Sequence, residues 1–317
     1  MQQFVHEQLV PLVQHLINGI SLGAVYALIA VGYTMVYGVL RLINFAHGDV
    51  VMVGAMTGYY AARNLLHLHE NEPTWFAFFF VLLICMIVCG VLGYVIEFVA
   101  YRPLRNQPRI NSLITAIGVS MLLEYGGQAW LGADPKVFPQ LIPNIEGAHS
   151  ALATINGVII GKLDAIILTL SITLMLILRY IIMHTRTGLA LRAVSFRFDT
   201  AALMGVNVNR IVSFTFVLGS SLAAVAGVLL GIRSHSVGPL LGLQIGIKAF
   251  VAAVLGGIGN INGAVCGAML LGLTEVMVAG YVKHGSQFQN GVAFVILIGV
   301  LLLKPSGIFG QNVVEKI

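Results

Sequence analysis

The chain has 317 residues, of which 58% belong to the hydrophobic set and only 9% are charged, against roughly a quarter charged in an average soluble domain. That balance excludes an ordinary soluble enzyme. The net charge of +5 does not argue for nucleic acid, because the 17 basic residues form no dense block and are mostly scattered singly between apolar runs. A bilayer span takes about 20 mostly apolar residues, so the reading is an all-α polytopic membrane protein with about 8–9 transmembrane helices. A β-barrel would need short segments of strictly alternating polarity, which 76–95 and 165–182 lack.

The first apolar segment, 12–39, has no Lys or Arg before it and runs far past a signal-peptide core, so it reads as a retained membrane helix. Further apolar segments are predicted at 74–100, 112–131, 164–183, 210–232, 262–282 and 290–304. Two shorter stretches are rich in glycine. One, 49–62, follows Asn44-Phe45-Ala46-His47-Gly48; the other, 246–255, precedes Gly256-Gly257-Ile258-Gly259-Asn260-Ile261-Asn262-Gly263. Both read as half-helices or re-entrant elements, since backbone leaving a helix at membrane depth must be buried in protein or line a wet cavity. Paired broken segments point to an internal repeat and a midplane pathway, and we expect the Asn44–Gly48 break to correspond to the Gly256–Gly263 break.

Basic residues set the orientation. Arg102, Arg105 and Arg109 mark one cytoplasmic loop, and Arg186, Arg192, Arg197 and Arg210 mark another. The connection from Gly132 to Leu163, with Asp134, Lys136, Glu146, Lys162 and three prolines, is balanced in charge and suits the outside. No stretch is large enough for a separate soluble domain, so residues 1–317 read as one domain.

Chemistry-bearing patterns are sparse. There is no HExxH and no GxxxxGK[ST] phosphate loop, so no ATP site and no enzyme is expected in this chain. Cys85, Cys89 and Cys266 are dispersed packing residues. His67 and His69 beside Glu70 form a solvated loop rather than a metal site, for want of a second ligand pair. Asp49, Glu97, Glu124 and Glu275 fall at or within apolar segments, where an ionisable group is suspected of function by default. The plain alternative is that Glu97 reaches the interface or pairs with Arg102 while the others are hydrogen-bonded or protonated. Acids at Asp49 and Glu124 would suit a secondary transporter or channel working alone.

The segment 184–210 is the most informative. Asp199 is a good N-cap and Gly205 a good C′ residue, which predicts a short helix presenting Ala201 and Ala202 as a small face with Leu203 and Met204 as apolar knobs. A soluble partner can seat such a helix in a groove; a connector resting on headgroups is the alternative.

Here the sequence resembles the permeases of branched-chain amino-acid ABC importers. Arg186 and Gly188, Arg192 and Ala193, then Ala201, Ala202, Gly205 and Asn207, followed by the Ala- and Gly-rich 220–227, match the coupling loop of that family. Asn18-Gly19-Ile20, Tyr26-Ala27-Leu28, Asn44 to Gly48, Ala100-Tyr101-Arg102-Pro103, 253–259 and Pro305-Ser306-Gly307-Ile308-Phe309-Gly310 also look like family motifs. Length and the closing Val314-Glu315-Lys316-Ile317 are most similar to the LivH-type subunit; urea and short-amide permeases keep much of the same pattern. The resemblance implies a bacterial inner-membrane protein importing leucine, isoleucine and valine with a LivM-type second permease, two ATPases that bind ATP-Mg, and a periplasmic binding protein. Coupling then falls to Arg186, Gly188, Arg192, Ala193, Asp199, Ala201, Ala202, Leu203, Met204 and Gly205. Asn18, Ser21, Asn44, His47, Gly48 and Ser220 are the candidates for lining the path, each equally able to serve helix packing.

Overall fold

A computed structural model describes residues 9–68, 72–105, 107–143, 151–155 and 157–310. His69, Glu70, Glu146 and the closing Val314 to Ile317 lie outside the described residues, as does the Arg109 side chain. The helices in order are α1 (Val10–Leu40), α2 (His47–Tyr60), α3 (Trp75–Ile96), α4 (Arg109–Leu131), α5 (Lys162–His184), α6 (Arg186–Phe196), α7 (Phe198–Leu203), α8 (Val208–Ser234), α9 (Leu241–Gly256), α10 (Ile261–Tyr281) and α11 (Gly285–Leu303). Every predicted apolar segment is helical. Six of the described helices are long and apolar enough to cross a membrane: α1, α3 with its continuation to Leu104, α5, α8, α10 and α11. The two predicted short segments are α2 and α9. The remaining segment, α4, is long enough but its hydropathy is diluted by Asn111, Ser112, Thr115, Ser120, Glu124 and Gln128.

The chain divides into two compact units, each assembled from separated stretches. One takes 31–143 and 173–247, the other 1–30, 144–172 and 248–317. In the first unit α8 is the hub, packing against α2 and α3. Lipid gives no hydrophobic drive for helices to associate, so close packing and interhelical hydrogen bonds must do so. Small residues supply the closeness. A Cβ on Gly54 of α2 would stand 2.6 Å from the Cα of Ala224 in α8, and one on Gly90 of α3 would stand 3.1 Å from the Ser221 hydroxyl. Ser221 donates across to the Met86 carbonyl at 3.1 Å.

The connection from Gly132 to Leu163 is not purely a loop. It contains β1 (Lys136–Val137), β2 (Ala151–Ile155) and β3 (Val158–Gly161); β1 pairs antiparallel with β4 (Ser236–Val237), and β2 with β3. Phe138, Leu141 and Ile142 are buried, which an apolar triplet between prolines can achieve only when a folded unit is there to receive it.

The helix α9 begins in the first unit and passes at Lys248 into the second, where its end and α10 form a helical hairpin around the predicted glycine break. Gly257 and Gly259 hold positive φ of 102° and 96°, where a side chain would be strained. Asn260 caps α10, its side chain accepting from the Gly263 N–H at 3.2 Å. The carbonyls left open at the end of α9 are met by the Pro305–Gly310 segment: Ile308 and Phe309 donate their N–H groups to Leu255 and Gly256 at 2.9 and 3.1 Å. Two motifs distant in sequence thus make one helix cap.

The expected correspondence of the two breaks is corrected. α1 ends at Leu40 and is followed by Arg41 at φ 54°, a non-helical stretch 41–46 and the short helix α2; α8 ends at Ser234 and is followed by His235 at φ 53°, the non-helical stretch 235–240 and the short helix α9. The first break therefore matches 235–240 in form, not Gly256–Gly263. The first break itself lies at 41–46, so that His47 and Gly48 belong to the opening turn of α2 rather than to the interruption.

Candidate functional site

The segment 184–210 folds as two short helices on the first unit. Thr185 caps α6, its hydroxyl accepting from the Gly188 N–H at 3.1 Å. Gly188 is required by contact, because any Cβ there would strike the carbonyls of Ile181 and Ile182 at the end of α5. The glycine of the Arg-x-Gly pattern is thereby explained: it lets the start of α6 lie against the last turn of α5. Leu191 and Val194 are the buried side of α6, while Arg186, Arg192 and Ala193 face outward.

The N-cap of α7 is corrected from Asp199 to Arg197, with Asp199 inside the first turn, where its charge still favours the helix dipole. Gly205 is the C′ residue as expected. At φ 83° it donates to Ala202 at 3.0 Å, and Val206 donates to Ala201 at 3.0 Å, the paired bonds of a Schellman end. The small face divides. Ala201 is 4% exposed and packs inward, whereas Ala202 is exposed beside Leu203 at 88% and Met204 at 80%. With Phe196, 85% exposed at the end of α6, these form an apolar outward surface on a segment lined with arginines.

The candidate path residues separate. Asn18 and Ser21 lie on α1 in the second unit; Ser21 is buried, and Asn18 accepts from Gln14 at 3.2 Å. Asn44, His47, Gly48 and Ser220 lie in the first unit, all buried. Asn44 accepts from the Tyr101 hydroxyl at 3.0 Å, and the His47 ring stands edge-on to Tyr33 with centroids 4.6 Å apart. Gly48 is where α2 meets α9: a Cβ there would stand 2.7 Å from the Cα of Gly246. Ser220 faces Gly93 of α3. Asp49, buried in the first turn of α2, accepts from Ser120 of α4 and lies against Gly242 of α9. Ser112, Ala116, Ser120 and Glu124 follow one another every four residues, so the polar stripe of α4 is its inward side.

Two charged clusters complete the arrangement. Glu97, fully buried, pairs with Arg102 and Arg105 and accepts from Ser213 of α8 at 2.6 Å. Arg105 also donates to Asn209 at 2.7 Å. Burial draws the Arg105 guanidinium down from its ordinary value, against the pull of Glu97. The pairing of Glu97 with Arg102 was legible in the sequence; the ties to Arg105, Ser213 and Asn209, which fasten the end of α3 to the start of α8 beside α7, were not. The second cluster lies in the second unit. Lys248 of α9 pairs with Glu275 of α10, and Tyr26 of α1 donates to Glu275 at 3.0 Å. Sequence reasoning left Lys248 out, although a lone lysine inside a short apolar helix was the available signal.

Apolar helices with glycine contacts and charges buried in pairs define a polytopic membrane protein. The chain belongs to the family of permease components of branched-chain amino acid transport systems, whose profile matches residues 15–301. It is similar to the high-affinity branched-chain amino acid transport system permease protein BraD of Pseudomonas aeruginosa, 42% identical over 306 residues, covering 96% of this chain and 97% of that one. LivH of Escherichia coli K12, carrying the same description, is 37% identical over 317 residues, with 98% and 99% covered. The ribose import permease protein RbsC of Haemophilus influenzae is more distant at 25% identity, with 91% and 84% covered. This chain is therefore a LivH-type, multi-pass inner-membrane permease and a transport component rather than an enzyme.

Proposed function

We propose that this chain forms half of the translocation path of an ATP-driven importer that carries leucine, isoleucine and valine inward. The observation that carries the reading is similarity along nearly the whole chain to permeases named for high-affinity branched-chain amino acid transport. Its partners are a LivM-type permease, two ABC ATPases that bind ATP-Mg, and a periplasmic binding protein. The chain has no phosphate loop, so ATP must act in trans.

Coupling falls to 184–210. Phe196, Ala202, Leu203 and Met204 offer an apolar surface for an ATPase groove, while Gly188 and the Gly205 helix end hold it rigid. Arg186, Arg192, Ala193, Asp199 and Ala201 belong to the same unit, the arginines placing it at the cytoplasmic face. ATPase closure would pull on this elbow, and α8, which starts five residues beyond α7, would carry the movement to α2 and α3. Asn18, Ser21, Asn44, His47, Gly48 and Ser220 are assigned to the path, whose substrate, a zwitterion, calls for polar groups without fixed net charge.

The test is reconstitution. Proteoliposomes holding all subunits, with binding protein outside and ATP inside, take up leucine; this chain alone takes up none. Uptake by the chain alone, driven by an ion gradient, would instead establish the stand-alone transporter. Uptake of urea in preference to leucine would overturn the substrate assignment.

A further inference from the structure

Lys248, Glu275 and Tyr26 form a buried charged cluster that neither the coupling segment nor the candidate path employs. Lys248 is 7% exposed and Glu275 3%. The ammonium is paired with one carboxylate oxygen, the Tyr26 hydroxyl donates to the other at 3.0 Å, and the ammonium reaches the same hydroxyl at 3.4 Å. All three residues lie within their helices rather than at the termini, and both charged side chains are buried. Removing two charges from water costs several kcal/mol per ion, and well-packed apolar side chains are often as stable or more so in their place. Tying helices together does not by itself require a pair of ions. An ionisable group buried among apolar membrane helices is suspected of function by default, with its partner as part of the hypothesis.

We infer that the Lys248–Glu275 pair, with Tyr26, is a relay point for the α-amino and α-carboxylate groups of the transported amino acid. This rests on the transport reading given above and goes beyond it by naming what recognises the headgroup. The cluster carries one positive and one negative charge, as the zwitterion does, so exchanging partners buries no net charge. The substrate carboxylate takes Lys248, the substrate ammonium takes Glu275, and the pair closes again when the substrate leaves. Tyr26 can hydrogen-bond to either arrangement, because a phenol both donates and accepts. Lysine suits the task, being a compact charge on a flexible stem rather than a rigid bidentate fork. The branched side chain plays no part here, so the cluster selects α-amino acids as a class. A neutral amide such as urea would have no use for an ion pair.

The test uses the complete complex in proteoliposomes with leucine-loaded binding protein. In the double variant Lys248→Met/Glu275→Gln, both charges are gone, the Tyr26 bond to residue 275 is kept and volume is nearly conserved. We expect assembly and binding-protein-stimulated ATP hydrolysis to stay near wild type while leucine delivered per ATP falls at least about tenfold. A purely structural defect would lower hydrolysis and uptake together. The exchange variant Lys248→Glu/Glu275→Lys, which keeps a pair but reverses it, should assemble and still deliver poorly. Wild-type delivery per ATP by either variant, or failure of both to assemble, would overturn the proposal and leave the pair a lock between helices. The wild-type complex measured alongside reports separately on leucine transport itself.

Discussion

Gly48 shows how the meaning of one residue changes with its neighbours. As part of an interruption in an apolar run it reads as a break at the pathway; as a contact it is the point where α2 lies against Gly246 of α9. Even one methyl group then matters. Gly48→Ala should destabilise the chain by about 1–3 kcal/mol, the usual cost of overpacking, read as lower yield and lower thermal stability of the purified complex. A variant as stable as wild type would show the contact to be loose. Glu97 is the charged counterpart. Glu97→Gln leaves Arg102 and Arg105 facing each other without a counter-charge, and breaking a buried pair costs about 3–5 kcal/mol. We expect loss of folded protein, with partial recovery when Arg105→Met is added. Recovery of nothing by the second change would mean that Glu97 acts on something besides the arginines.

Among the elements, α7 carries the clearest expectation, because its two alanines have opposite fates. Ala202→Arg places a charge on the exposed side, where an isolated surface would change stability by no more than about half a kcal/mol. In the assembled importer we expect it to abolish substrate uptake and the stimulation of ATP hydrolysis by binding protein. Ala201→Arg forces the charge inward against the rest of the unit and should prevent folding. If the Ala202 variant transports normally, α7 is not the gripped element. The α9–α10 hairpin makes a second case: ending the chain after Lys304 removes the N–H donors that meet Leu255 and Gly256, so the hairpin should loosen. Faster amide exchange at the end of α9 would register it, and unchanged protection would assign the cap to water.

For the whole molecule, the orientation rests on arginine placement. Single cysteines at Asp134 and Thr200, in a background lacking Cys85, Cys89 and Cys266, should react with an impermeant reagent only from outside and only from inside respectively. The opposite pattern would invert the chain and remove α7 from the ATPase side. Both positions are exposed, so lack of reaction at each from its expected side counts equally against the orientation.

Membrane class, the nine apolar segments, the turn at Gly205 and the Glu97–Arg102 pair were all readable from the linear chain, because each depends on local composition, on span length or on residues a turn or two apart. The Asn44–Gly48 and Pro305–Gly310 motifs were visible as patterns but not as contacts. Only the tertiary structure joined Gly48 to Gly246, Asp49 to Ser120, Tyr26 to Glu275, and the 305–310 segment to the end of α9. In an apolar medium backbone and charge must find partners inside the protein, and those partners come from helices far apart in sequence. Periodicity tells which segments cross; it carries no record of which face meets which. Lys248 stands in the linear chain as a lone charge in an apolar helix, but its pairing with Glu275, a helix away, is decided only by the fold.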